Sequence, residues 1–234
     1  MEDFRDPDSY INGRVLMIDK EIHWTSFDVV NKIRNHLKNY LGIPKIKVGH
    51  AGTLDPLATG LVIVCTGKFT KQILHYQDLS KTYEATFKFG ETTPSFDLET
   101  AVDQTYSWEH ITHSGFEKVV ETFTGEIEQI PPMYSAKKID GKRAYNLARK
   151  GKSVELQPSN VTVYSMEILS FQLPEIKLLI NCSKGTYIRS LARDLGESLS
   201  SGAHLTALRR LKIGDFDVKD SMTVNHLENK LKQL

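Results

Sequence analysis

The sequence predicts one mixed domain of the α+β class, and three observations lead there. Short apolar or alternating runs such as Val15–Ile18, Leu61–Cys65 and Lys81–Phe89 are interleaved with segments of helical period. No internal repeat, low-complexity tract or clear linker divides the 234 residues. Hydrophobic residues make up 40% of the chain, enough to fill a substantial core.

Taken in order, Ile11-Asn12-Gly13 leads into Val15-Leu16-Met17-Ile18, a short buried strand ending at Asp19-Lys20. Thr25 or Ser26 can cap a helix whose apolar positions Phe27, Val30, Ile33, Leu37 and Leu41 follow the helical repeat, and Gly42-Ile43-Pro44 ends it. After a glycine-rich loop, Leu61–Cys65 reads as a buried strand and Lys68–Tyr76 as a second helix. Lys81–Phe89 alternates as a half-buried strand, which puts Tyr83, Ala85, Phe87 and Phe89 on one face. Residues 91–108 form a polar surface excursion, followed by a helix over Phe116–Phe123. Pro131-Pro132 exclude a central strand across Glu126–Ala136 but allow an extended arm. A helix is expected over Lys142–Arg149, stopping at Gly151. Val161–Leu173 and Ile176–Cys182 then read as a hairpin turning near Pro174-Glu175. Gly185-Thr186 opens a helix over Tyr187–Leu199, with the threonine as its cap. A basic, apolar stretch from Ala203 to Leu211 and a closing helix over Val224–Leu231 complete the chain.

Composition excludes several classes. No run approaches the roughly 18 apolar residues of a membrane span, and the opening Met1–Asp8 is acidic where a targeting peptide is basic and then apolar. A soluble cytoplasmic protein is therefore expected. Cys65 and Cys182 lie in apolar runs without a Cys-x-x-Cys or Cys/His cluster, so neither a zinc site nor a disulfide is expected. The net charge of +1 says little about nucleic acid, because steering depends on where charges lie. Between Lys137 and Lys152, however, seven cations face one anion, Asp140. Such a run serves either as a solvated face or as an RNA contact.

The loop Gly49–Gly60 is the stretch most suited to chemistry. Its three glycines, one proline and two threonines disfavour a regular element, so His50 and Asp55 are expected on a tight loop beside a strand. Pro56 biases Asp55 toward extended backbone and limits where its carboxylate can point. The loop is neither a P-loop nor a dinucleotide fingerprint. Taken alone, an Asp-Pro turn is more often structural than catalytic.

His50-Ala51-Gly52-Thr53-Leu54-Asp55-Pro56-Leu57-Ala58-Thr59-Gly60 resembles the active-site motif of the TruB family of tRNA pseudouridine synthases. The resemblance continues through Lys81-Thr82-Tyr83, Ile130-Pro131-Pro132-Met133-Tyr134, Cys182–Leu191 and Gly202–Leu211, covering about residues 11–211. Two departures stand out. Where the family follows its first lysine with Pro-x-Gly, Lys20 is followed by Glu21-Ile22-His23. The family's Thr- and Asp-rich motif appears as Thr92-Thr93-Pro94-Ser95-Phe96-Asp97, with Asp97 kept. The C-terminal PUA domain that many members use to grip RNA is expected to be absent, leaving 1–234 as a single catalytic domain.

The resemblance implies a mainly antiparallel sheet with flanking helices and an isomerisation of the T-loop uridine of tRNA. The bond from ribose C1′ to N1 breaks, the base turns, and C5 bonds to the same carbon. No cofactor or metal is implied. Asp55 is the candidate carboxylate near C1′, by analogy with glycosidase chemistry. Arg189 is implied as the cation that keeps it ionised, a task a bidentate guanidinium suits. Tyr83 is implied as a stacking face for uracil, worth about 1–3 kcal/mol per base, with its hydroxyl near the C5 proton. Tyr187 and Leu208 are implied to line the base pocket, and His50 to fill the gap left by an extruded nucleotide. Without the resemblance, Tyr83, Tyr187 and Leu208 read as packing residues, Arg189 as solvent-facing and His50 as a polar loop residue. The expected partner is the tRNA T-arm and elbow, with no membrane, no obligate protein partner and a monomeric state. A tRNA-folding chaperone, or a related synthase acting on another RNA, are the alternative readings.

Overall fold

The computed structural model describes residues 6–135, 138–139, 142–143, 145 and 156–232. In chain order the elements begin with α1 (Pro7–Asn12), β1 (Val15–Lys20), α2 (Ser26–Leu41), β2 (Val48–His50) and β3 (Thr59–Thr66). A 3-10 turn over Gly67–Gln72 leads to α3 (Ile73–Asp78), β4 (Lys81–Phe89), β5 (Glu91–Thr92), β6 (Gln104–Thr105) and α4 (His113–Thr122). Next come β7 (Gly125–Gln129), β8 (Lys138–Ile139), β9 (Lys142–Arg143), β10 (Ser159–Gln172) and β11 (Glu175–Cys182). The chain closes with α5 (Ile188–Ser198), β12 (Ala203–Ile213), β13 (Phe216–Asp217) and α6 (Val224–Lys232). Backbone contacts gather these into two compact units, Met1–Thr82 with Arg209–Leu234, and Tyr83–Leu208.

In the first unit, β3 is buried along nearly its whole length because it has neighbours on both edges. It pairs antiparallel with β1, from Val15 opposite Cys65 to Lys20 opposite Gly60, and antiparallel with β2, with His50 opposite Val64. Its first residues pair parallel with β12, Arg209 opposite Thr59 and Arg210 opposite Gly60. Ala51, Leu61, Ile63, Cys65, Tyr76 and Ile213 form a buried hydrophobic cluster here. Helix α2 starts at a reciprocal capping box: the Thr25 hydroxyl accepts from Asp28 N at 3.0 Å, and the Asp28 carboxylate accepts from Thr25 N at 2.9 Å. It ends at Gly42, whose φ of 64° is the left-handed cap expected of glycine. The inward stripe is Val29, Val30, Ile33 and Leu37. Phe27, expected on that stripe, is 61% exposed, because Val29 takes the inward place in the first turn.

Three other expectations change in this unit. His50 belongs to β2, and Thr59-Gly60 to β3, so the irregular loop shrinks to residues 51–58. The Lys68–Tyr76 helix divides into the 3-10 turn and α3. The short helix α1, which the apolar period did not reveal, is set by Asp6, whose carboxylate accepts from Asp8 N at 3.0 Å, with Pro7 in the first turn.

In the second unit, Ala85, Phe87 and Phe89 lie on the buried face of β4 with Tyr83, as the alternation requires. β10 pairs with β11 as the expected hairpin and with β7 on its other edge, both antiparallel. Phe116 of α4 meets Phe89 edge-on at 5.7 Å and Phe171 of β10 at 5.9 Å, tying helix to sheet. α4 starts earlier than expected, at His113, because Thr112 caps it by accepting from Gly115 N at 3.1 Å. α5 begins after Tyr187 without a side-chain cap; the Thr186 hydroxyl instead donates to the Ser183 carbonyl at 3.1 Å. Lys142-Arg143 are strand rather than helix, paired with Lys138-Ile139. The rest of the expected 142–149 helix lies outside the described residues, apart from Tyr145. Ala203–Leu211 is the greater part of strand β12.

The sheet is mixed and mainly antiparallel, its β3–β12 ladder being parallel and the β1–β3, β2–β3, β7–β10 and β10–β11 ladders antiparallel, and with its helices the fold is α+β. Cys65 and Cys182 are both buried and not joined in a disulfide. Among the described residues no helix is long and apolar enough to cross a membrane, and no group of side chains is arranged to hold a metal ion.

Candidate active site

The loop from Ala51 to Ala58 connects β2 to β3 and carries Asp55 half-buried at its turn. Its backbone is fixed at both limbs. Ala51 N donates to Ile63 O at 2.8 Å, and Ala58 N to Asp55 O at 3.1 Å. The buried Ser26 hydroxyl, at the head of α2, accepts from Leu54 N at 2.9 Å and donates to Leu54 O at 3.2 Å. The Pro56 carbonyl accepts from His23 N at 2.8 Å and from Lys20 Nζ at 3.4 Å. A carboxylate on such a loop has few places to go, which suits it to meet one reacting atom.

Two cations that the sequence reading did not use lie beside this loop. Lys20 is fully buried at the end of β1 and donates to the carbonyls of Trp24 at 2.7 Å and Glu21 at 3.0 Å. Burial pulls its pKa down to about 8, while the negative charge of Asp55 opposes that fall. The turn after it survives the loss of Pro-x-Gly because His23 itself adopts the left-handed φ of 69°. Arg210, 1% exposed on β12, donates from Nε to Leu61 O at 2.7 Å, from Nη1 to Thr53 O at 3.4 Å and from Nη2 to Gly52 O at 3.3 Å. The sequence assigns neither a role: Lys20 stands where the family has its first lysine but in an altered motif, and Arg210 lies in a basic, apolar stretch that shares the family resemblance.

His50 is half-buried two residues before Gly52. Burial lowers its pKa, with the Gly52 carbonyl opposing and the Arg210 charge adding to the fall, so the imidazole is neutral at pH 7.

The second unit holds the remaining candidates. Arg189, in the first turn of α5, is 4% exposed rather than solvent-facing. Its Nη1 donates to Ser95 O at 3.2 Å and its Nη2 to Tyr134 O at 2.8 Å, with Nε 3.7 Å from Asp97 Oδ2. Asp97 is itself buried, and its Oδ1 accepts from Glu99 N at 3.0 Å. Tyr83 is buried on the inner face of β4. Tyr187 is half-buried, with its backbone locked by the Gln129 side-chain amide at 2.8 and 3.1 Å. Leu208, on β12, is half-buried. Thus His50, Lys20, Asp55 and Arg210 come together in one unit, and Arg189 meets Asp97 in the other.

A family model described as "TruB family pseudouridylate synthase (N terminal domain)" matches residues 38–188, and one described as "tRNA pseudouridylate synthase B C-terminal domain" matches residues 189–233. The chain belongs to the TruB family. Two proteins named tRNA pseudouridine synthase B are similar to it along nearly their whole length. The one from Phocaeicola vulgatus is 56% identical, covering 96% of each chain, and that from Flavobacterium johnsoniae is 52% identical, covering 97% of this chain and 99% of its own. Among solved structures, a chain of a Cbf5-Nop10-Gar1 complex is 27% identical with a TM-score of 0.71, covering 96% of this chain. This chain spans 56% of that longer one. As a TruB-family pseudouridylate synthase it is an isomerase.

Proposed function

We propose that this TruB-family enzyme converts the T-loop uridine of tRNA to pseudouridine, with Asp55 as the essential carboxylate. The observation that carries the reading is the loop geometry: a carboxylate on a backbone fixed at both limbs, with its negative charge felt by the buried Lys20 ammonium. The names of the Phocaeicola vulgatus and Flavobacterium johnsoniae relatives support tRNA as the substrate.

In this reading the carboxylate meets ribose C1′ as the bond to N1 breaks, either as nucleophile or as partner to the positive charge that develops there. The freed uracil turns, C5 bonds to C1′ as the carboxylate releases that carbon, the C5 proton leaves and N1 takes up a proton. Electrons balance without an outside oxidant or donor. Tyr83 supplies the stacking face, with Tyr187 and Leu208 lining the pocket. The family resemblance gives Arg189 the role of the guanidinium that keeps the carboxylate charged. His50, neutral at pH 7, fills the space of the extruded nucleotide without adding a charge.

The test is tritium release from C5-labelled tRNA by wild type and by Asp55→Asn, with modified positions mapped in the product. Release by wild type from the T-loop and none by the variant is expected. Undiminished turnover by Asp55→Asn removes that residue from the mechanism, and modification elsewhere in RNA corrects the substrate.

A further inference from the structure

We propose that Arg210 is a positioning residue for Asp55, gripping main-chain carbonyls on both limbs of the loop that carries it. The inference deepens the reading above and rests on Asp55 as the working carboxylate.

A guanidinium withdrawn from water is costly unless its N–H groups find acceptors. Arg210 finds its acceptors on the loop. Gly52 and Thr53 precede Asp55, whereas Leu61 follows it at the start of β3, so one planar group ties the descending limb to the ascending one. The directions of those N–H groups are fixed by the guanidinium plane, so distance and angle are set together. Lys20, reaching Pro56 O, holds the far side of the same turn through a single point charge.

The backbone around Arg210 is adapted to this close approach. Gly60, opposite it in the parallel ladder, has φ of 106°, and a Cβ there would lie 2.3 Å from Arg210 O and 2.7 Å from its N. A side chain at position 60 forces the two strands apart and withdraws the guanidinium from the loop. At Gly52 the nearest such neighbour is Arg210 Nη1 at 3.9 Å, so there the contact is made by the carbonyl alone. Arg210 thus acts on the reaction without touching the substrate, through the place it gives to Asp55.

A core plug and a positioning group differ in what they change. Loss of a plug lowers the fraction of folded enzyme; loss of positioning lowers the rate of each folded molecule. Arg210→Lys keeps the charge but not the fork. Its single-turnover rate on tRNA, normalised to the fraction that binds tRNA, is expected to fall about 10–100-fold, as for a reacting group displaced by about 1 Å. Its Kd for tRNA is expected to stay within about threefold of wild type. A second variant reaches the contact from the other side. Replacing Thr53 by its α-hydroxy analogue turns the Gly52 carbonyl into a weaker ester acceptor while leaving Arg210 and every side chain in place. A loss of about fivefold in the same rate is expected. Wild-type rates per folded molecule in both variants, or a loss confined to tRNA affinity, overturn the proposal. Release by wild type but not by Asp55→Asn secures the underlying reading independently; no release by wild type overturns that reading and this inference with it.

Discussion

Two buried arginines, one in each unit, solve the same electrostatic problem differently. Arg189 faces a carboxylate, with Asp97 Oδ2 3.7 Å from its Nε, and two carbonyls. The hydrogen bonds of Arg210 go to three carbonyls, those of Gly52, Thr53 and Leu61. An ion pair makes each partner's burial depend on the other, whereas a guanidinium on carbonyls depends on the path of the backbone. The first arrangement protects a charge and the second protects a shape.

That contrast is sharpest in stability. Arg189→Met takes the nearby guanidinium from buried Asp97, which keeps its bond from Glu99 N, and should cost about 3–5 kcal/mol in urea unfolding. Adding Asp97→Asn should return a measurable part of that loss, since the stranded charge disappears with it. A double variant whose losses merely add would mean that the pair contributes through packing instead. Arg210→Met removes the only charge of its own contact and strands neutral carbonyls, so a smaller loss of about 1–3 kcal/mol is expected. No nearby acid-to-amide change should restore it.

Lys20 offers a finer comparison because it can lose its charge. Unfolded, its ammonium titrates near 10.5; folded, burial brings it to about 8. Between those values the unfolded chain binds the extra proton, so this group makes the fold relatively more stable as pH rises from about 8 toward 10.5. Wild type should gain stability against Lys20→Met over that window, and parallel curves would show that the ammonium is not desolvated. The smallest effect belongs to Phe27. Being 61% exposed, it should tolerate Phe27→Ser within about 0.5 kcal/mol, and a larger loss would restore it to the core stripe from which the structure removes it.

Legibility in the sequence followed the range of the interactions involved. Local patterns gave the β4 face, the β10–β11 hairpin, the Thr25 cap and the Gly42 stop, because each is settled within a few residues. The Asp55 loop was found by its glycines and by family resemblance, but its edges were misjudged. His50 and Thr59 look irregular until β3 and its neighbours pair with them. The contacts of Lys20 and Arg210 are hidden in the sequence for a related reason. A cation that binds carbonyls far along the chain, as Arg210 does with Gly52, leaves no spacing to read. Arg189 was located by resemblance, yet its burial against Asp97 depends on a fold that brings residues 97 and 189 together.

The two cysteines have a practical use. Both thiols are buried, and burial pushes that of Cys65 up to about 11, so the native surface presents almost nothing for maleimide to alkylate. One cysteine placed at an outward position in each unit therefore gives a clean pair of dye attachment points. A change in energy transfer between those dyes can report on the binding and release of RNA, with no background labelling to subtract.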